Sequence, residues 1–365
     1  MLLIFTILFV AVLGLTLAFL VYLFTLPSTF PKGIPTIPFY YTLLPLIKNN
    51  DQVNLYRQYL KELLTTSGVV KLFFSGRWNI LVRKPAYIAE VLKNEDIFAK
   101  SGNQVKIPHG ALAEYTGDNI INGHGENWKL YTSIFKPALQ QDYDCKRIWE
   151  NDNLLVALIE EQQETGAAVN VNPLLQRYAL ANLLEVLLGS SFGTLQDPNA
   201  PLHAFQMRIK PKIFDPIFLN FPFLDHLKLP TRQETRRLVK VFADELVRTV
   251  QNGHSDCHEK GQFENLGCHL LNAFETGILT EKQLRHDMIS AFLAGHEKPQ
   301  LLLISTLFFL AEHGICCKPC LFNKPILLGG KIPTPAGTYV GYNAYSTNRD
   351  VDFWGQTADE FNPER

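Results

Sequence analysis

The chain begins with a long apolar run that no charged side chain interrupts. The first 26 residues read MLLIFTILFVAVLGLTLAFLVYLFTL, and at about 1.5 Å per residue this run can cross a hydrocarbon core of roughly 30 Å. A cleaved signal peptide fits less well, because the run is too long, lacks a basic leading segment and is not followed by a small-x-small cleavage site. The N-terminal position disfavours a buried core helix. We therefore predict a single membrane anchor over residues 1–26.

The first charge, Lys32, follows the apolar run, which by the positive-inside tendency places the body of the protein in the cytosol. Four prolines between residues 27 and 38 resist helix formation and predict a stiff, extended connector over residues 27–50. From Asp51 the apolar positions change to helical spacing, and Gly68 ends this helix. The positions on its apolar face are Val53, Tyr56, Leu60, Leu63 and Leu64.

The next segments VVKLFF and WNILV flank a Gly-containing turn and predict a β-hairpin. Most of the remaining chain has helical period, with loops expected at Gly102–Gly117 and around Pro198–Pro201. The segment Pro216–Pro230 is interrupted by prolines and cannot be one helix; it could pack on a membrane, roof a channel or form an internal loop. The fold class predicted is mostly α with a minor β part.

The longest helical pattern runs from Thr280 to His313. Thr280 and Gln283 form a capping box at its start, and the second half is apolar nearly all round, which predicts burial. Pro299 has no N–H for the carbonyl of Gly295, so a kink or widening is expected there. A bend without function is the plain alternative, but a buried Glu297 would need a partner, water or a ligand.

Charge and cysteine content narrow the possible functions. The chain has 35 acidic and 34 basic residues and is 47% hydrophobic, which argues against disorder and against a nucleic-acid surface. Six cysteines in 365 residues are too few for a disulfide scaffold. The cluster CCKPC at 316–320 has no histidines at zinc-finger spacing around it, so no metal-ligand set is predicted from the cysteines.

Several segments together resemble the cytochrome P-450 superfamily of haem-thiolate monooxygenases. AGHEKPQ at 294–300 resembles the central oxygen-groove helix, and fungal members with His-Glu-Asn-Pro at this point look closest. HGENWKLYTSIFKPALQ at 124–140 resembles the family's helix C, residues 333–350 its late β-turn, and FNPER at 361–365 its Pro-Glu-Arg segment. The resemblance implies a cytochrome P-450-like fold for residues 51–365 behind the anchor, incomplete in this chain.

The resemblance also implies a function and its residues. It implies haem as cofactor, dioxygen and a small apolar or aromatic metabolite as substrates, an NADPH-dependent reductase as partner, and an endoplasmic-reticulum membrane location with the body facing the cytosol. The acid of the oxygen groove would be Glu297, with Ala294, Gly295 and His296 beside it. The residues expected to contact haem are Trp128, Lys129, His124 and Arg365.

Four departures from the family pattern stand out. Lys298 occupies the position of the family's alcohol, and Thr132 stands where an arginine is expected. No Glu-x-x-Arg helix follows His313; the strings Glu234/Arg237 and Glu245/Arg248 precede the long helix and are read as solvated pairs. The 365 residues hold no Phe-x-x-Gly…Cys-x-Gly loop for an axial thiolate. The pattern is that of a truncated and internally deleted enzyme of doubtful activity; a non-catalytic, membrane-anchored helical protein is the alternative.

Overall fold

The apolar N-terminal run forms one exposed helix in the computed structural model. Helix α1 spans Leu2–Phe24, and its segment Ile4–Phe24, of mean hydropathy 2.8, is long and apolar enough to cross a membrane. None of that segment is buried inside the protein. Its last turn ends in an aromatic contact, since the Phe24 ring stacks on Phe39 at a centroid distance of 4.4 Å. The predicted helix is confirmed.

The structure describes residues 2–44, 52–94, 97–143, 145–164, 166, 168–260, 265–312, 326–328 and 332–334. The chain forms two compact units, Met1–Lys298 and Pro299–Arg365. After α1, the helices are α2 Gln52–Leu55, α3 Lys61–Ser67, α4 Pro85–Lys93, α5 Asn103–Lys106, α6 Ala111–Thr116, α7 Gly125–Leu139, α8 Lys146–Gln163, α9 Val171–Asn182, α10 Pro201–Ile213, α11 Pro216–Asn220, α12 Pro230–Lys260, α13 Leu266–Glu275 and α14 Glu281–Glu312; the strands are β1 Val69–Phe74, β2 Arg77–Val82, β3 Ile326–Leu328 and β4 Ile332–Thr334. The predicted class, mostly α with a minor β part, is confirmed.

The proline-rich connector pairs with the β-hairpin, and Thr36 forms a parallel bridge to Lys71. Ile37 is fully buried, and its N–H donates to the Lys71 carbonyl at 2.8 Å, while the Lys71 N–H donates to Pro35. The Lys71 ammonium group donates to the Pro31 carbonyl at 2.9 Å. The edge of β1 offers unpaired backbone groups, and the connector satisfies them. A 3-10 turn at Phe39–Leu43 follows, and residues 45–50 lie outside the described part.

The helix before the hairpin and the hairpin itself form as predicted. Between α2 and α3 the backbone widens into a π turn at Tyr56–Leu60, which the spacing did not reveal. Gly68 ends α3 in the left-handed conformation with φ +74°. β1 and β2 pair antiparallel from Val69↔Val82 to Phe74↔Arg77, and Ser75 and Gly76 both have positive φ, as a tight primed turn requires.

The stretch Gly102–Gly117, predicted as a loop, contains the short helices α5 and α6. In α6, helix formation follows from burial, because Ala111 and Tyr115 are 0% and 2% exposed. Local sequence preference for helix is weak around the glycines, and tertiary packing overrides it. The expected loop near Pro198 is correct, because α10 begins only at Pro201.

The segment Pro216–Pro230 is divided into α11 and a 3-10 turn at Pro222–His226, as its prolines predicted. The Asp215 side chain caps α11 by accepting the Ile217 N–H at 2.9 Å. The Phe223 ring lies 5.2 Å from that of Phe19, so this segment contacts α1.

The main core is centred on aromatic rings from several helices. Phe242 of α12 lies 5.3 Å from Phe292 of α14 in an edge-to-face arrangement, and the rings of Phe205 and Tyr115 lie 6.0 Å from it. Edge-to-face pairs at these distances stabilise a core beyond simple burial. A smaller core under the hairpin contains Ile37, Leu60, Leu64 and Val70. The first half of α14 is therefore packed into the main core.

In the second unit, the end of α14 and the strands β3 and β4 are described. The helical backbone continues from Glu281 to Glu312 with Pro299 inside it and without a π or 3-10 segment, so the expected widening is absent from these described residues. The predicted burial of this half is wrong for the described residues: Leu302 is 67% exposed and Phe308 56%. β3 and β4 pair antiparallel through Leu328↔Ile332.

Candidate functional site

The long helix α14 begins at the predicted capping box. The Thr280 N–H donates to Gln283 Oε1 at 2.9 Å, and the Gln283 N–H donates back to Thr280 Oγ1 at 3.3 Å. These two bonds satisfy backbone donors that have no partner within the helix. The Gln283 amide also donates to the Tyr131 hydroxyl at 3.2 Å, so the cap attaches α14 to α7.

His296, expected beside the oxygen groove, lies in the protein interior. It is 0% exposed, and its Nδ1 donates to the Phe292 carbonyl at 2.5 Å. Its Nε2 accepts from the Gln206 side-chain amide of α10 at 2.9 Å. Burial lowers the pKa of His296, so the ring is neutral. Both ring nitrogens are therefore used, and His296 joins α14 to α10.

Glu297 lies at the edge of the same contact, where it has the partner that a half-buried carboxylate requires. Lys210 Nζ lies 2.6 Å from Glu297 Oε1, and the two side chains are 46% and 34% exposed. Tyr115 is close by: burial raises the pKa of its phenol, and the negative charge of Glu297 raises it further. Glu297 is thus an ion-paired group open to solvent on one side.

Gly295 and Ala294 face different surroundings. A methyl group added at Gly295 would overlap Leu183 Cδ1, and the Leu183 branch carbons lie within 3.3 Å of that position. Leu183 begins a π turn, Leu183–Leu187, that continues α9. A larger residue at 295 would therefore require the Leu183 side chain to move. Ala294 is exposed.

A groove runs along one face of α7. Its cavity measures about 560 Å³ and has mostly apolar walls. The lining residues are Trp128, Lys129, Thr132, Ser133, Lys136, Pro137 and Gln140. The hydroxyl of Thr132 is buried there and makes no hydrogen bond within the part of the chain that the structure describes. The groove thus combines apolar walls, two lysines and an unused polar atom.

The residues predicted to hold haem are only partly brought together. Trp128 and Lys129 line the groove, and the Lys100 ammonium group lies 5.0 Å above the Trp128 ring. Lys129 pairs with Glu126 at 2.8 Å on the surface, and this bond raises the pKa of Lys129. His124 is the exposed residue before α7 and is not among the lining residues. Arg365 lies outside the described residues, as do residues 335–350 and the cluster CCKPC.

The two Glu-x-x-Arg strings are surface pairs, as predicted. Arg237 Nε lies 2.7 Å from Glu234 Oε2 and Arg248 Nη2 lies 2.5 Å from Glu245 Oε2, both within one helix turn on α12. The arginine side chains are 61% and 67% exposed. Pairs of this kind contribute little to stability and form no buried cluster.

The sequence reasoning missed Asp287, a completely buried carboxyl one helix turn beyond the capping box. It accepts the Ile120 N–H at 3.0 Å. Its signal was available, since Asp287 stands three residues after Leu284 and four before Ala291, both buried. A charged residue on the apolar face of a helix indicates a special environment. Lys210 and Gln206 were missed because no spacing links them to the long helix.

Comparison with known protein families agrees with this architecture. The family model described as Cytochrome P450 matches residues 31–314. Cytochrome P450-DIT2 of Saccharomyces cerevisiae is 38% identical over 396 residues, covering 97% of this chain and 81% of that protein. The Cytochrome P450 monooxygenase xanG of Aspergillus fumigatus is 33% identical over 387 residues, covering 91% and 72%. The Lithocholate 6-beta-hydroxylase of Mesocricetus auratus is 25% identical over 317 residues, covering 78% and 58%. The chain therefore belongs to the cytochrome P450 family.

Proposed function

We propose that this protein is a membrane-anchored, haem-dependent monooxygenase that inserts one oxygen atom from dioxygen into a small apolar or aromatic metabolite, with electrons from an NADPH-dependent reductase. The family match over residues 31–314 carries the reaction class, since family membership implies haem and oxidoreductase chemistry. The substrate class is an inference from the aromatic content and the fungal relatives, and secondary metabolism is the setting that we favour. The alternative is a non-catalytic, membrane-anchored helical remnant or binding protein.

The groove on α7 offers hydrogen-bond donors and positive charges of the kind that the carboxylate edge of a haem requires. Haem carries two propionate carboxylates, and the groove offers the buried Thr132 hydroxyl without a partner together with Lys129 and Lys136. Trp128 supplies an apolar wall against which a flat ring can pack. When bound, haem supplies the activation of dioxygen. We propose that these residues hold the propionate edge, and that the lysines compensate for the arginine that Thr132 replaces.

On α14 we propose Glu297 as the group that moves protons toward bound dioxygen. We propose Ala294 as the small residue that lines the same oxygen groove. The contact with Lys210 sets a condition on this role. The Lys210 ammonium group occupies Glu297 Oε1 at 2.6 Å. Glu297 must therefore turn away from Lys210 before that oxygen can contact another proton donor or acceptor. His296 and Gly295 fix the helix that carries it.

The family's Phe-x-x-Gly…Cys-x-Gly motif for the axial ligand does not occur within residues 1–365. None of the six cysteines stands in the family's ligand motif. The family match ends at residue 314, the point where a Glu-x-x-Arg helix is expected to follow. The aligned length with the yeast relative, 396 residues, exceeds the 365 residues of this chain, so the alignment contains gaps on its side. These observations support the proposal that an internal segment is missing here and that the 365-residue chain has little or no activity.

The test is the absorption spectrum of the recombinant 365-residue chain, reduced under carbon monoxide. We expect the thiolate-type band to be absent, because no cysteine is placed as ligand. Appearance of that band would show that another cysteine binds the iron, and the inferred loss would be wrong. Haem stoichiometry near zero combined with cooperative thermal unfolding would favour the non-catalytic alternative.

We further propose that α1 anchors the protein in the endoplasmic-reticulum membrane, with the body on the cytosolic side. The contact of Phe19 with Phe223 supports this, because it sets the 216–230 segment beside the anchor, where Ile217 and Leu227 are 48% and 53% exposed. Removing residues 1–26 should move part of the protein from the membrane fraction to the soluble fraction, the rest being held by the exposed apolar segment. A full-length chain recovered entirely in the soluble fraction would contradict the anchor.

A further inference from the structure

A single backbone hydrogen bond joins the loop between α6 and α7, residues 117–123, to the carboxyl of Asp287. The Ile120 N–H donates to Asp287 Oδ1 at 3.0 Å. Asp287 is 0% exposed, and its second oxygen, Oδ2, is buried without a hydrogen-bond partner among the described residues. One turn further along α14, the hydroxyl of Ser290 is also buried without a partner. An ionised carboxylate so poorly solvated is costly, whereas a neutral acid is not.

The loop itself is a stiff unit. Asn119 Oδ1 accepts the N–H groups of Ile121 at 2.8 Å and Asn122 at 2.9 Å, and its amide donates to the Thr116 carbonyl. At Gly117, with φ +56°, an added methyl group would overlap the His286 ring of α14. The loop is therefore held together by its own hydrogen bonds. It contacts the long helix at Asp287 and at the His286 ring.

A second carboxyl in the same region, that of Asp118, is surrounded by hydrogen-bond donors. Asp118 accepts hydrogen bonds from Tyr131 at 3.0 Å, Asn127 at 2.6 Å and Gln104 at 3.4 Å. Three donors stabilise its charge. Asp287 has one donor, and the negative Asp118 opposes a second charge nearby. Of the two carboxyls, Asp287 is the one that the structure leaves neutral.

We propose that Asp287, as a neutral carboxylic acid, latches the loop 117–123 onto α14, and that opening of the loop is coupled to loss of the Asp287 proton. The latch also fixes the start of α7, since the loop leads directly into that helix and its groove. The inference goes beyond the proposed function and does not depend on bound haem.

The titration behaviour agrees with this geometry. The pKa of Asp287 is raised to about 8, chiefly by burial; the Ile120 N–H lowers it and the negative charge of Asp118 raises it. The groups that face it are Asp118 in the loop and Tyr131 on α7, whose phenol pKa is also raised, mainly by burial. The adjacent His286 is kept neutral because burial lowers its pKa, so it supplies no compensating charge.

The sign of the pH effect follows from these values. A carboxyl released to solvent has a pKa of about 4, so the closed loop holds its proton more tightly than the open one. The stability of the latch is complete below about pH 4 and is lost as the pH rises toward about 8. Between these limits the opening constant increases about tenfold per pH unit, and above about pH 8 it levels off.

The test is hydrogen–deuterium exchange of the full chain in detergent micelles. The protection of the peptide containing Ile120, corrected for the intrinsic exchange rate, should fall about tenfold between pH 6 and pH 7 and level off above about pH 8. In Asp287→Asn, which keeps an acceptor oxygen but cannot ionise, the protection should not change with pH. As the matched control, Asp152→Asn removes a carboxyl that accepts from Tyr178 elsewhere and should keep the wild-type slope.

Several results would overturn the proposal. Protection in the unmodified chain that does not depend on pH would do so, as would an identical slope in Asp287→Asn or the loss of the slope in Asp152→Asn. If Asp287→Asn fails to fold, the unmodified chain decides by itself. Its infrared spectrum should show a protonated carboxylic acid band at pH 6 that disappears as the pH passes about 8, and a spectrum without that band rejects the neutral acid.

Discussion

Two carboxyl groups on the same helix, Glu297 and Asp287, have opposite surroundings. Glu297 is one-third exposed and bonded to a lysine, whereas Asp287 is completely buried and receives one backbone N–H. Water and an ammonium group stabilise the charge of the first. Burial without a cation keeps the second neutral. Glu297, the residue in the recognisable motif, thus has solvent and a charged partner beside it. Asp287, which belongs to no motif, has neither solvent nor a cation among its described contacts.

A sequence motif and an unusual environment therefore give different information about a residue. AGHEKP identifies the family, because its spacing is specific, yet nothing in it predicts Lys210 as the partner of Glu297. Asp287 belongs to no motif, but it determines how a loop is attached to the helix. Motif positions therefore indicate where chemistry is expected, and buried polar positions indicate which contacts hold the surrounding loops.

The largest expected effect on the free energy of unfolding comes from a substitution at Gly117, in the loop that contacts Asp287. Replacing Gly117 by Ala forces a side chain into a left-handed backbone position and against the His286 ring. Backbone strain and overpacking together should lower the free energy of unfolding by about 3 kcal/mol. Urea denaturation of the full chain in micelles measures it. Gly277→Ala is the control, because Gly277 has a similar φ of +75° but open space around it, and it should lose about 1 kcal/mol. Equal losses in the two variants would show that the loop does not pack closely on the helix.

A much smaller effect is expected at the exposed carboxyl. Glu297→Gln removes the charge that pairs with Lys210, and since both side chains are substantially exposed the loss should be below about 1 kcal/mol. The loss should disappear in about 1 M salt, because exposed charges are then screened. Glu126→Gln, in a pair that is 67% and 87% exposed, serves as the control with a loss near zero. A salt-independent loss above about 2 kcal/mol would show that Glu297 is more buried than its surroundings indicate, and the contrast with Asp287 would fail.

Local patterns in the sequence predicted the features that depend on near neighbours. The capping box at Thr280, the left-handed end at Gly68, the hairpin of β1 and β2 and the broken segment at Pro216–Pro230 all formed as expected. Each depends on backbone geometry within a few residues. The helices inside Gly102–Gly117 were missed because their stability comes from burying Tyr115 and Ala111 against distant helices.

From the amino-acid sequence we could predict the apolar N-terminal helix, the helical class, the start of the long helix and, through distributed motifs, the family. The contacts of His296 with Gln206, of Glu297 with Lys210, of Gly295 with Leu183 and of Asp287 with the Ile120 N–H are visible only in the folded chain. These contacts join residues that are 87 to 167 positions apart. Periodicity shows which face of a helix is apolar, but the partner that meets a polar group on that face depends on how the helices pack.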